Sequence, residues 1–163
     1  MIDPQDDETP KFFWEGQLPN AKADGEYRGI LRYVSKNITR IFYATLTVQG
    51  SSSVNYPKKN FTIKFYTDDT YTTKLKVEFK NWGLHDSYVL KANWVDHTHC
   101  RIIAGSEIWR QIMESRSDYE ELPEEIKTAS GHGATQGFSS RFYVNGLYYG
   151  LYELIIAKKD ING

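Results

Sequence analysis

The chain has almost no cysteine. A single residue, Cys100, excludes an intramolecular disulfide framework and fits a reducing compartment, or a particle assembled in one. It also has almost no net charge. Twenty Lys and Arg against 21 Asp and Glu leave a formal −1, which removes the electrostatic case for nucleic acid or an anionic membrane as partner. No apolar run approaches the ~20 residues that a membrane span requires. The first residues, Met1 to Glu8, are acidic and lack an apolar core, so they do not read as a signal peptide. There is no internal repeat and no low-complexity tract. A soluble protein is expected.

Aromatic residues are plentiful at 15% of the chain, and 12 tyrosines supply half of them. Tyrosine-rich strands suit a half-buried sheet or a binding surface. The length of 163 residues corresponds to one domain, able to bury roughly two-thirds of its unfolded surface.

Residues 1–10 are polar, acidic and bracketed by Pro4 and Pro10, and read as a disordered lead or linker before a domain at 11–160; 161–163 would be the end of the chain. Lys11 to Trp14 suggests a short edge strand. Tyr27–Val34 and Arg40–Val48 read as strands, the second with Phe42, Ala44, Leu46 and Val48 on one face. Phe61, Ile63 and Phe65 mark another strand, and Tyr88–Trp94 a further one. Lys74–Phe79 fits either a strand or a short helix. From Thr98 to Ser115 the period becomes helical, and Ile102, Trp109, Ile112 and Met113 form a stripe expected to bury against the sheet. Thr128–Gln136, around His132, reads as a mobile loop. Asn145-Gly146 joins Phe138–Val144 to Tyr148–Ile156 as a hairpin, because this pair favours two successive positive φ angles. The expected fold class is α+β: a mostly antiparallel sheet with one long packed helix and a C-terminal hairpin.

The most informative stretch is Gln49-Gly50-Ser51-Ser52-Ser53 leading into Tyr56-Pro57-Lys58-Lys59-Asn60-Phe61-Thr62-Ile63-Lys64. A Gly/Ser turn leaves backbone N–H groups free to face an anion, and a nearby lysine adds positive charge. The same pattern serves an ordinary hairpin with a solvated loop. Together with Trp82-Gly83-Leu84, with Tyr88 to Arg101 and with the Asn-Gly hairpin of Gly137 to Tyr152, it resembles the CotH kinase-like family over roughly Pro10 to Asp160. Ser115 to Glu125 resembles the versions carried on phage tail and baseplate proteins.

The resemblance implies a fold like the N-terminal lobe of an atypical kinase. It makes ATP and Mg²⁺ the cofactors to consider, though neither is expected to bind this chain tightly. In the family, the catalytic and metal-binding aspartates lie C-terminal to the Asn-Gly hairpin. No such segment precedes Gly163, so a catalytically incomplete module is expected, with no catalytic residue assigned. The implied nucleotide site comprises Gly50, Ser51 and Ser52 near phosphates, Lys59 or Lys64 reaching them, and Glu107 orienting that lysine. Lys58 and Lys59 are adjacent, so at most one enters a given pocket.

Asp96 reads as a helix cap interacting with Arg101 or the first N–H groups. His97 and His99 diverge at the helix start and have no second ligand group, so no metal site is assigned. Three functions follow from the resemblance: a nucleotide-binding but incomplete kinase-like module, a structural or adhesive module of a phage tail or baseplate, and the first lobe of an active kinase. The implied partners are phage structural proteins or a missing C-terminal lobe, in a bacterial cytoplasm or a virion.

Overall fold

The computed structural model describes residues 9–129 and 131–157. Nearly all of the expected lead, and the expected chain end at 161–163, lie outside the described residues. Seven strands form: β1 (Lys11–Glu15), β2 (Tyr27–Ser35), β3 (Ile38–Gln49), β4 (Asn60–Tyr66), β5 (Ser87–Lys91), β6 (Gly137–Val144) and β7 (Leu147–Ile156). Two α-helices, α1 (Arg101–Glu114) and the short α2 (Glu124–Thr128), lie between β5 and β6.

The strands close into a barrel in the order β1-β2-β3-β4-β5-β7-β6. All neighbours are antiparallel except β1 and β6, which run parallel. This overturns the α+β expectation and its likeness to a kinase lobe with a long packed helix. The deciding element is β1. Lys11 to Trp14 were expected to form an edge strand, yet β1 pairs on both sides, Phe12 with Tyr33 of β2 and with Phe142 of β6. An edge exposes unpaired N–H and C=O groups, and closure removes both edges at once.

Strand alternation fills the interior. Phe42, Ala44, Leu46 and Val48 of β3 point inward with Phe61, Ile63 and Phe65 of β4. Lys74–Phe79 is neither helix nor regular strand. It is tied down by single bridges, Tyr66 to Lys74 and Val77 to His85, and carries Phe79 into the barrel. There the ring meets Tyr88 at 5.0 Å and Tyr33 at 5.4 Å, edge to face.

Helix α1 is the second correction. Only Met113 is buried; Ile108, Trp109 and Ile112 remain 58%, 43% and 52% exposed. The barrel has already enclosed its core, so the outer face offers the helix only a small apolar patch, Val89, Ile155 and Ala157 beneath Ile102. The expected mobile loop is also tied down: His132 is buried, its Nδ1 lies 3.0 Å from the Ile126 carbonyl, and the Trp109 indole N–H donates to the His132 carbonyl at 2.9 Å. Asn145 and Gly146 take φ of 48° and 82°, the two positive angles of a tight hairpin turn.

Candidate functional site

A cleft of about 290 Å³ opens where the segment before β4 meets the end of β5 and the start of α1. Asn60 joins its two sides. The Asn60 Nδ2 donates to Ser53 Oγ at 3.0 Å, and the Ala92 backbone N–H donates to Asn60 Oδ1 at 2.7 Å. Gly50 has φ of 122°, and a Cβ there would lie 2.0 Å from Ser53 Oγ, so this close turn admits only glycine.

The far wall is shaped by Asp96. Its carboxylate accepts from the Thr98 hydroxyl at 2.5 Å, from the Thr98 N–H at 3.1 Å and from the Arg101 N–H at 3.0 Å. The Thr98 hydroxyl above all, then the backbone donors and the Arg101 charge, hold its carboxyl down at about 2. Asp96 thus satisfies a first-turn donor of α1 and holds Arg101 at the cleft rim, with Nε 3.4 Å away.

Two lysines line the cleft. The Lys58 ammonium donates to the Ala92 carbonyl at 2.9 Å and to the Leu151 carbonyl, and lies 4.4 Å from the centre of the Tyr152 ring. Burial lowers it to about 8. The Lys91 ammonium donates to Gln49 Oε1 at 3.0 Å, and burial lowers it too. Among the described residues neither lysine has a carboxylate partner. Both are desolvated cations satisfied only by neutral acceptors; Arg101 lines the same cleft with its charge offset by Asp96, 3.4 Å away. Such a site favours an anion. A contiguous hollow places Tyr56 and Trp94 beside it, with His97 and His99.

The residues expected from sequence fall in several places. Gly50 shapes the turn, while Ser51 and Ser52 are exposed, and Ser53 is the serine that lines the cleft. Lys59 turns back on its own loop, donating to the Val54 carbonyl at 2.7 Å and the Tyr56 carbonyl at 2.6 Å. Lys64 pairs with Glu26 elsewhere on the barrel. Glu107 pairs with Arg110 at 2.5 Å, which holds its carboxyl at about 2, and borders a different hollow beside Lys80 and Trp82. The expected pairing of Glu107 with Lys59 or Lys64 is therefore not assembled. Asp96 and Arg101 are together. Among the described residues no three His, Cys, Asp or Glu side chains converge on a metal position.

Lys58, Lys91 and Asn60 were missed as site residues, as was Glu153 behind the cleft. Strand parity held part of the signal. Leu90 and Ala92 are core residues, so Lys91 between them must leave the barrel outward. The fold and cleft define a small closed-barrel domain with an electropositive hollow at its strand ends. Residues 46–155 match the model of the family described as CotH kinase protein, and the chain belongs to that family. The match contains the cleft lining, from Ser53 to Ile102, and the β6–β7 hairpin up to Ile155. Comparison with curated proteins gave no match.

Proposed function

We propose that this CotH-family module binds a phosphorylated ligand, with ATP the leading candidate, through Lys58, Lys91 and Arg101 in the cleft between the Ser53 turn and the Asn93–Arg101 segment. The observation that carries the reading is the pair of burial-depressed lysines with no carboxylate partner among the described residues. An anion entering the cleft would restore the charge balance that the fold withholds. The neighbouring Tyr56 and Trp94 surfaces suit a planar base next to the phosphates. Any Mg²⁺ would arrive on the nucleotide's own phosphates, since no protein carboxylates converge there among the described residues.

In this reading the chain binds without transferring phosphate by itself, because phosphoryl transfer needs carboxylates that hold the metal. The test is an NMR titration with ATP. Shifts should centre on Ser53, Lys58, Asn60 and Lys91 and fade with added salt, with affinity near millimolar, about 4 kcal/mol of binding free energy. Shifts confined to Ser51, Ser52 and Lys59, or an affinity unchanged in Lys91→Met, would reject it. Incorporation of radiolabelled phosphate by the chain alone would reject the incomplete-module part.

A second reading is a structural or adhesive module of a phage tail or baseplate. Its support is the resemblance of Ser115–Glu125 and the apolar residues that α1 leaves exposed, Ile108 and Ile112 foremost. Absence of any ATP-induced shift, combined with loss of self-association or particle binding in Ile108→Glu, would favour it.

A further inference from the structure

Glu153 has no solvent exposure, and neither of its carboxylate oxygens makes a hydrogen bond of normal geometry; the Asn93 amide nitrogen, itself unpaired, is the donor beside it. A buried carboxylate without partners is costly, and native structures rarely leave one unexplained. It lies on β7 directly across from Lys91 of β5. Tyr152 and Leu154 beside it are core residues, as are Leu90 and Ala92 beside Lys91. Both side chains therefore leave the barrel on the same outer face. Opposed residues of an antiparallel pair hold their Cβ atoms about 5 Å apart, well within the reach of a lysine and a glutamate.

The Lys91 ammonium nonetheless goes the other way. It reaches Gln49, at the end of β3, across β4 and on the Ser53–Asn60 side of the cleft. Gln49 and Glu153 thus lie on opposite sides of β5, and Lys91 can satisfy only one of them at a time.

We infer that Glu153 is a positioning residue that competes with the cleft's anion for Lys91. When Glu153 is neutral, Lys91 stays on Gln49 and its charge lines the cleft. When Glu153 ionises, it draws the ammonium across β5 into a buried pair, and the cleft loses that charge. Burial raises the Glu153 carboxyl above the usual glutamate range, the nearby Asp96 charge adds to this, and the Asn93 side chain opposes it. The other charged groups facing this corner are Lys58, whose ammonium donates to the Leu151 carbonyl of β7, Arg141, exposed on β6, and His97, His99 and Arg101 on the segment leading into α1. The sign follows from linkage: an anion held by Lys91 favours protonated Glu153, so anion affinity falls as pH rises through the Glu153 midpoint.

The inference rests on the cleft being an anion site, and the test separates the two. Sulfate is the probe, because its charge is constant between pH 4 and 8. Its affinity would be measured by NMR in the wild type, Glu153→Gln and Lys91→Met. His99 within this range and Lys58 toward its upper end give up charge in every variant, so binding weakens with pH throughout. The wild type should lose about tenfold more affinity over this range than Glu153→Gln, equivalent to one unit of sulfate-induced shift in the Glu153 midpoint. The Cδ resonance of Glu153 in the wild type should show that upward shift directly, so the inference remains testable if Glu153→Gln does not fold. Equal pH profiles in the wild type and Glu153→Gln, or a Glu153 midpoint that sulfate leaves unmoved, would overturn it. Unchanged sulfate affinity in Lys91→Met would instead overturn the anion-site reading itself.

Discussion

The Lys58 ammonium lies 4.4 Å from the centre of the Tyr152 ring while donating to the Ala92 carbonyl. One strand-entry lysine thereby ties together the ends of β4, β5 and β7. The ring faces the cation with its electron-rich surface, and its own hydroxyl donates to the Lys59 carbonyl at 3.0 Å. The Lys58 charge is consequently held in place at the cleft before any ligand arrives.

Lys58 should titrate near 8 against an ordinary lysine value of 10.5. Between these values the unfolded chain binds more protons than the folded one, so stability should rise with pH across that window. The Lys58→Met variant should lack this slope. Denaturant midpoints from pH 7.5 to 10.5 for both proteins would measure it, and ATP or sulfate should move the Lys58 midpoint upward in an NMR titration.

Asp96 gives the opposite dependence at the acid end. Its carboxyl is held at about 2 against an ordinary 3.8, so its contribution is present above pH 3.8 and disappears as pH falls toward 2. Asp96→Asn should melt lower than the wild type at pH 6, and the two melting temperatures should converge only as pH falls to about 2. A constant difference would mean that the cap acts by shape alone.

Trp109 and Trp14 should respond very differently to truncation. Trp14 is fully buried in the barrel, whereas Trp109 is 43% exposed and anchored through its indole N–H. Trp14→Ala should cost about 3–5 kcal/mol, and Trp109→Ala about 1 kcal/mol, near the value of one hydrogen bond. Chemical denaturation of the two variants provides the comparison.

Gly29 on β2 marks a point where the barrel wall has no room. A Cβ there would lie 2.5 Å from the Glu15 carbonyl and 2.7 Å from the Trp14 ring. The first neighbour is backbone and cannot rotate away. Gly29→Ala should therefore destabilise by about 2 kcal/mol or more through overpacking. The same substitution at Gly105 of α1, where nothing lies within 4 Å, should be neutral or mildly stabilising.

Local features were written in the sequence because they depend on neighbours along the chain. Alternation identified the inward face of β3 and Asn145-Gly146 the tight turn, while α1 begins at Arg101, three residues after the expected Thr98. The motifs around Gln49–Lys64 and Tyr88–Arg101 carried the family. What pairs with what across distance was not legible. Lys11 to Trp14 read as an edge until β6, some 130 positions away, closed the barrel against them. Once the strands enclosed their own core, the apolar stripe of α1 had little surface left to cover, and Trp109 stayed half exposed.

The site followed the same division. Read as strand residues, adjacent Lys58 and Lys59 diverge and one at most enters the cleft; they in fact stand just before β4, which begins at Asn60. Only the tertiary structure decided which of the two enters. The turn carbonyls of Val54 and Tyr56 took up Lys59, and closure brought Leu151 and Tyr152 of β7 to Lys58. Barrel register also set Glu153 opposite Lys91, a pairing separated by 62 residues that local pattern could not specify.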